Sequence, residues 1–462
     1  MKRILIILFV LIAFNSALFA KIILPSVFAD NMVLQQNSTV ALWGWSDPGE
    51  TVKIVAGWNE KDTIKVKADN SSKWTTSIKT IGAGGPYSIR ILGSSRVELK
   101  NVMLGEVWIC SGQSNMEWSV NAKIINGEEE AAKANHPNIR IFHVQKIGAQ
   151  YPQENCNATW TVCSPETMRS TSAIGYFFAR ELQQKLNIPI GIIVSAWGGT
   201  PAEVWIEKSR IEKNAMLNNH KYNEKYDWWP GTPGTLYNSM IAPFVPYGIA
   251  GAIWYQGESN CNNHQIYSEL MKTLIENWRS DFKKDFPFYL VQIAPYTYGD
   301  KGTSEFVREQ QELITKTVPN TGMIVISDLV DNVKDIHPRN KIDVGKRLAN
   351  FALAETYKQT IGAYKSPAYH SMQIEKDKLR VSFSNVLTGL KSTGKTPMQF
   401  LIAGDDQKFV PATAKIEGST VILSSKLVKN PVAARFCFDD TSMPDVFSTE
   451  GLPLAPFRTD KW

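Results

Sequence analysis

The chain of 462 residues is short of several things, and each shortage excludes something. Cysteine is scarce: there are five, Cys110, Cys156, Cys163, Cys261 and Cys437, and none has the paired spacing of a zinc site. An odd count leaves at least one thiol unpaired or bonded to another molecule. Cys156 and Cys163 flank a short polar loop and are expected to be able to close a small disulfide in an oxidising compartment. Cys110 lies in an apolar run, where a buried, inert thiol is expected. Histidine is also scarce, with six, so chemistry that needs an imidazole has few candidates. Charge of one sign is modest: the net charge is +6, with no basic run, which argues against nucleic acid as a partner. Beyond the N-terminus no apolar run is long enough to span a membrane.

The N-terminal residues have a pattern of their own. Lys2 and Arg3 precede an apolar core, Ile4 to Phe14, and Leu18-Phe19-Ala20 offers a small residue for cleavage, so residues 1–20 read as a secretory signal peptide. No Cys follows that core to carry a lipid anchor. The mature chain is expected to be soluble, secreted or periplasmic, with its charge reduced to +4 by the loss of Lys2 and Arg3. Aromatics are plentiful, with 14 Trp and 15 Tyr; they serve a carbohydrate site or, more plainly, core packing.

The rest is too long for one ordinary domain. Residues 21–101 alternate in short β-prone runs, such as Val40 to Trp45, Thr51 to Val55 and Tyr87 to Leu92, broken by turn residues, and read as a β-sandwich domain. Residues 102–357 alternate strands and helices. Ile188 to Ala196, Gly251 to Tyr255, Phe288 to Ile293 and Thr321 to Ser327 read as buried strands. Phe177 to Leu186, Ile266 to Phe282, Ser304 to Thr317 and Val344 to Tyr357 read as helices. That alternation implies a parallel sheet covered on both faces. Asn218 to Gly234, polar and aromatic, reads as a surface excursion near the site or equally as a simple irregular connection. Residues 358–462 are β-rich again.

Chemistry concentrates in three stretches that follow strands. The first, Leu104 to Val120, runs apolar through Val107-Trp108-Ile109-Cys110, turns at Ser111-Gly112 and delivers Ser114 ahead of a helix, with Gln113 and Asn115 beside it as candidate oxyanion or substrate-binding residues. An α/β fold presents a nucleophile in this way, at the carboxyl end of a strand beside helical N–H groups. The second is Trp197-Gly198-Gly199-Thr200-Pro201-Ala202-Glu203-Val204-Trp205, where Gly198 and Gly199 let a backbone N–H approach substrate. The third, Trp254-Tyr255-Gln256-Gly257-Glu258-Ser259-Asn260, offers amides for an oxyanion and a carboxylate to orient a base or a substrate hydroxyl. Ser114 needs a base. His136 precedes a proline in a polar loop, and His143 sits in an apolar run. His220 and His370 have no chemical neighbours, and His264 opens a helix. His337, after a strand and before the last helix, falls at the same sheet edge as Ser114 and is the candidate. Asp335, two residues earlier, points the same way in extended backbone and can hold the imidazole tautomer.

The stretches GEVWICSGQSNMEW (Gly105 to Trp118), SAWGGTPAEVW (Ser195 to Trp205), LYNSMIAPFVPYGIAGAIWYQGESN (Leu236 to Asn260), DIHPRNKIDVGKRLA (Asp335 to Ala349) and GLPLAPFRTDKW (Gly451 to Trp462) resemble the sialate O-acetylesterases. That family belongs to the SGNH (GDSL-like) hydrolases. The resemblance implies an α/β fold with a flavodoxin-like, three-layer core. It also implies a serine esterase that removes O-acetyl groups from sialic acids or related sugars without a cofactor. By motif, Ser114 is implied as nucleophile and oxyanion donor, Gly199 as second donor, Gln256 or Asn260 in place of the SGNH asparagine, and His337 as base. The general D-x-x-H pattern is broken, because Lys334 holds the aspartate position. The orienter of His337 is then Asp335, Glu258 or a backbone carbonyl. An acetylxylan or other carbohydrate acetylesterase shares the mechanism, and a non-catalytic glycan-binding module is the alternative of another class.

Overall fold

The computed structural model describes residues 21–223, 227–299 and 303–462, so the expected signal peptide lies outside the described residues. The molecule is organised around one strand, Arg96–Gly112. Its first half pairs antiparallel with Gly84–Leu92 and, from Met103, parallel with Val33–Gln35. Its second half pairs parallel with Ile190–Ala196 on one side and Gly251–Tyr255 on the other. The expected boundary at residue 101 therefore falls inside a continuous strand, and the N-terminal β-region and the α/β region share it.

The central sheet runs Thr321–Ile324, Phe288–Val291, Gly251–Tyr255, Arg96–Gly112, Ile190–Ala196, His136–His143, Trp160–Cys163. Only the last of these pairs antiparallel. With the His136–His143 and Trp160–Cys163 pair set aside and the remaining strands numbered by sequence, the order is 2-1-3-4-5. Residues of Ile190–Ala196 and Gly251–Tyr255 are all buried, as a parallel strand covered on both faces requires. Side chains alternate between two cores. Val107, Ile109 and Trp254 join one with the helix Tyr267–Asp281. Trp108, Cys110, Ile253 and Tyr255 join the other with the helices Ala173–Leu186 and Lys341–Glu355. The first core continues without a break into the N-terminal β-region through Leu42, Trp74 and Ile91. Of the six tryptophans that are fully buried, Trp74, Trp108, Trp160, Trp205, Trp254 and Trp278, all serve packing.

Element ends follow local chemistry. The helix read from Phe177 starts at Ala173, because the Ser172 side chain accepts the Gly175 N–H at 3.0 Å. The last helix of the α/β region starts at Lys341, ahead of the expected Val344, with Asn340 accepting the Asp343 N–H at 3.1 Å. His136, expected in a loop, opens the inserted strand, and His143 ends it exposed to solvent. All five cysteines are free thiols. The Cys156–Cys163 disulfide does not form: Cys163 is buried at the sheet edge with its sulfur 3.8 Å from Ala134 O, and Cys156 sits 3.7 Å from Ser26 Oγ. Cys110 is buried, and desolvation pushes its thiol far up, away from thiolate.

The C-terminal region forms two four-stranded antiparallel sheets around its own core of Leu379, Phe400, Val421, Phe436 and Phe457. It docks on the helix Ser304–Thr317. Asp440 accepts the Ser304 N–H and hydroxyl at 3.1 and 2.6 Å, and Arg458 pairs in two bonds with Glu309 at 2.7 and 3.0 Å. No helix among the described residues is long and apolar enough to cross a membrane.

Candidate active site

Ser114 stands at the carboxyl end of the shared strand. Gly112 makes the turn at φ 133°, and a Cβ there would lie 2.1 Å from Tyr255 O, so no other residue fits. Gln113 N–H then bonds Tyr255 O at 3.0 Å, fixing the turn to the neighbouring strand. The helix that follows is a single turn, Ser114–Glu117. It exposes individual N–H groups at Ser114 rather than the summed dipole of a long helix.

His337 is 223 residues away in sequence, yet its Nε2 lies 2.9 Å from Ser114 Oγ. The imidazole stacks on Trp118, centroids 4.2 Å apart and planes 18° from parallel. Asp335 Oδ1 accepts the His337 backbone N–H at 3.0 Å and lies 3.5 Å from ring Nδ1. The second separation is that of an ion pair and long for a hydrogen bond. Burial, then the charge of Lys341, push the imidazole pKa below its usual 6.5 against the opposing pull of Asp335. The ring is therefore neutral, and able to accept a proton, at neutral pH.

The glycine loop forms the opposite wall. Glu117 Oε2 accepts the Gly198 N–H at 2.6 Å, while its Oε1 takes Lys146 Nζ at 2.6 Å. Gly199 adopts φ 79°, and the ring of Trp229 would lie 2.5 Å from any Cβ placed on it. That seats one end of the 218–234 excursion against the site. Residues 224–226 of the excursion lie outside the described residues. Gly199 O accepts the Ser259 hydroxyl at 2.8 Å. Among the described residues, no acceptor takes the backbone N–H of Ser114 or Gly199.

The other expected site residues lie one layer deeper, with their polar atoms turned to protein partners. Gln113 Oε1 faces the N–H groups of Gly257 and Ser259 at 3.4 Å. Gln256 Nε2 donates to Asn260 Oδ1 at 2.6 Å and Thr200 O at 3.3 Å. Asn260 accepts the Ala202 N–H at 2.9 Å and donates to Glu203 Oε2 at 2.9 Å. Asn115 Nδ2 donates to Glu258 Oε1 at 2.8 Å and to Ile336 O at 3.0 Å. Glu258 thus reaches His337 only through Asn115 and the carbonyl before the histidine. The amides brace the loops that carry them.

Sequence reasoning missed four residues here. Glu117 and Trp118 lay in the first stretch unremarked. Glu203, 2 % exposed, is pushed up to about 7 by burial, against the pull of Asn260. Lys341, 1 % exposed, is pushed down to about 7 by burial, against the pull of Glu258, Asp335 and Asp331.

Residues 104–354 match the model of a family described as carbohydrate esterase, sialic acid-specific acetylesterase. The chain is similar to human sialate O-acetylesterase, 30 % identical over 387 residues that cover 76 % of this chain and 74 % of that one. It is similar to the mouse sialate O-acetylesterase at 29 % over 405 residues, 74 % of each chain. Among solved structures it is similar to a carbohydrate acetylesterase from Xanthomonas citri, with a TM-score of 0.86 and 35 % identity over 96 % of this chain and 100 % of that one. The matched segment holds Ser114, the glycine loop, the amide cluster and His337, and on these findings the chain belongs to the sialic acid-specific acetylesterase family of carbohydrate esterases and is a carboxylic ester hydrolase.

Proposed function

We propose that the protein removes O-acetyl groups from sialic acids or related sugars by acyl transfer through Ser114 and His337. The 2.9 Å contact between Ser114 Oγ and His337 Nε2 carries this reading. Ser114 attacks the acetyl carbonyl as its proton passes to His337. The N–H groups of Ser114 and Gly199 receive the oxyanion. Collapse expels the sugar hydroxyl, which takes the proton back from His337 and leaves an acetyl-serine. Water then attacks that ester with His337 again as base, and acetate and the free serine result. Asp335 faces the imidazolium and is the orienter.

The strand order 2-1-3-4-5 supports a flavodoxin-like, SGNH-type core, and all three chemical loops follow the carboxyl ends of adjacent strands at its switch point. The relatives named sialate O-acetylesterase support sialic acid as the sugar. A second substrate reading, acetylated plant glycans such as acetylxylan, is supported by the likeness to the Xanthomonas citri carbohydrate acetylesterase over nearly the whole chain. The pattern of residues 1–20 supports secretion or a periplasmic location, tested by whether the N-terminus of the exported protein is Lys21. The function is tested by acetate release from O-acetylated sialic acid against acetylxylan, with Ser114→Ala as control. The variant is expected to lose turnover of p-nitrophenyl acetate while its circular dichroism stays native. Turnover retained in Ser114→Ala ends the proposal.

A further inference from the structure

We infer that Lys341, held through Asn115 against Glu258, is a positioning residue for His337. A lysine is almost never this buried without a purpose. Its Nζ donates to Asn115 Oδ1 at 2.6 Å. It also lies 5.5 Å from the Trp118 ring centroid and 5.6 Å from that of Tyr255. Two routes run from this ammonium to the histidine. Through Asn115, whose amide also bonds Ile336 O, it fixes the peptide immediately before His337. Through Trp118, whose ring also stacks on the imidazole, it fixes the ring's platform.

The Asn115 amide has one orientation that serves all three neighbours: its oxygen meets the cation, and its nitrogen meets the carboxylate and the carbonyl. Glu258 Oε2 is buried with no hydrogen-bond partner among the described residues, and burial raises the Glu258 pKa against its own backbone N–H, Asn115 and the charge of Lys341. The charged groups that act on Lys341 are Glu258 from the Gln256 to Asn260 loop, and Asp335 and Asp331 from the histidine loop. Asp331 is itself paired with Arg339 at 3.0 Å. Those that act on His337 are Lys341 and Asp335. The cation thus both braces the imidazole and disfavours its protonated form. It is still charged in the pH range, below 6.5, where His337 titrates.

The inference rests on His337 being the base, as proposed above. It is tested by the pH dependence of kcat and kcat/KM for p-nitrophenyl acetate in the wild type, Lys341→Met and Lys341→Gln, with thermal melting in parallel. Lys341→Met should lower kcat about tenfold with little change in KM, through misplacement of the base. It should also move the acid limb of kcat/KM upward. Lys341→Gln keeps an N–H for Asn115 without the charge. It should recover much of kcat and still show the raised limb. If Lys341→Met does not fold, the limb of Lys341→Gln decides alone. Variants that melt earlier but keep the wild-type limb would reduce Lys341 to a structural residue and overturn the inference. Failure of the underlying reading looks different: His337→Ala would then retain turnover, or the wild type would have no acid limb.

Discussion

Two buried carboxylates flank Ser114, each held by an asparagine amide, and they are not equivalent. On the base side Glu258 bonds Asn115 at 2.8 Å, and Asn115 also takes Lys341 at 2.6 Å. On the glycine side Glu203 bonds Asn260 at 2.9 Å, and no cation counters its desolvation. The first cluster ties a buried lysine, through Asn115, to the peptide before the imidazole. The second, with Glu203 pushed up to about 7, sheds its charge near neutrality and holds the Thr200 to Glu203 loop by hydrogen bonds alone. Burial raises the pKa of both acids, and only the base-side one has a cation to oppose that shift.

The largest effect belongs to the residue that only the base-side cluster supports. His337→Gln should lower kcat/KM for p-nitrophenyl acetate by about 10³-fold or more, since a positioned base is worth about 10²–10⁴. A loss under tenfold would dissolve the contrast between the two sides. Next comes the pair Asn115→Leu and Asn260→Leu, read by urea unfolding at pH 6. Asn115→Leu removes the bonds to Lys341, Glu258 and Ile336 O at once, leaves a buried ammonium without its hydrogen-bond partner, and should cost about 3–5 kcal/mol. Asn260→Leu should cost about 1–3 kcal/mol, because Glu203 can take up a proton instead. Equal costs would contradict the difference drawn here.

The third prediction concerns pH. The folded pKa of Glu203, about 7, lies above its ordinary 4.5, so the folded state holds that proton more tightly. The stability this contributes is full below 4.5 and is lost as pH rises to about 7. Glu203→Gln removes the loss. Relative to wild type its melting temperature should climb across that window, by the equivalent of roughly 1–3 kcal/mol, and a flat difference would count against a protonated Glu203. The smallest effect is Lys146→Met. It removes an exposed partner of Glu117 and should cost under about 1 kcal/mol with little change in turnover.

The sheet and its site edge were legible because they rest on local signals. Gly251 to Tyr255 and Ser304 to Thr317 matched their elements residue for residue, being an apolar run and an amphipathic period with clear ends. Ser114 and His337 stood out as chemistry-bearing residues just after strands, and the fold brings them into contact. The apolar run Ile139 to Val144 read as core or edge strand, but the place of His136–His143 in the sheet was not legible, since nothing local says that it lies beyond Ile190–Ala196. Nor was the continuity of Arg96–Gly112, whose polar first half and apolar second half differ because one lies near solvent and the other between two cores. Glu258 was read as orienting the base or a substrate hydroxyl and Asn115 as facing substrate; that they bond each other was not legible, because inward and outward polar residues look alike in sequence. Lys341 left one usable trace. It falls in step with Val344, Gly345, Leu348 and Ala352, the buried stripe of its helix, and a lysine on an apolar stripe requires a partner.

The central claim is that Ser114 is a nucleophile activated by His337. Its most direct test is labelling with a fluorophosphonate probe, mapped by mass spectrometry, in the wild type and in His337→Ala. The account predicts one modified residue, Ser114, in the wild type and a labelling rate that collapses in the variant. A label elsewhere, or equal rates in both proteins, would contradict it.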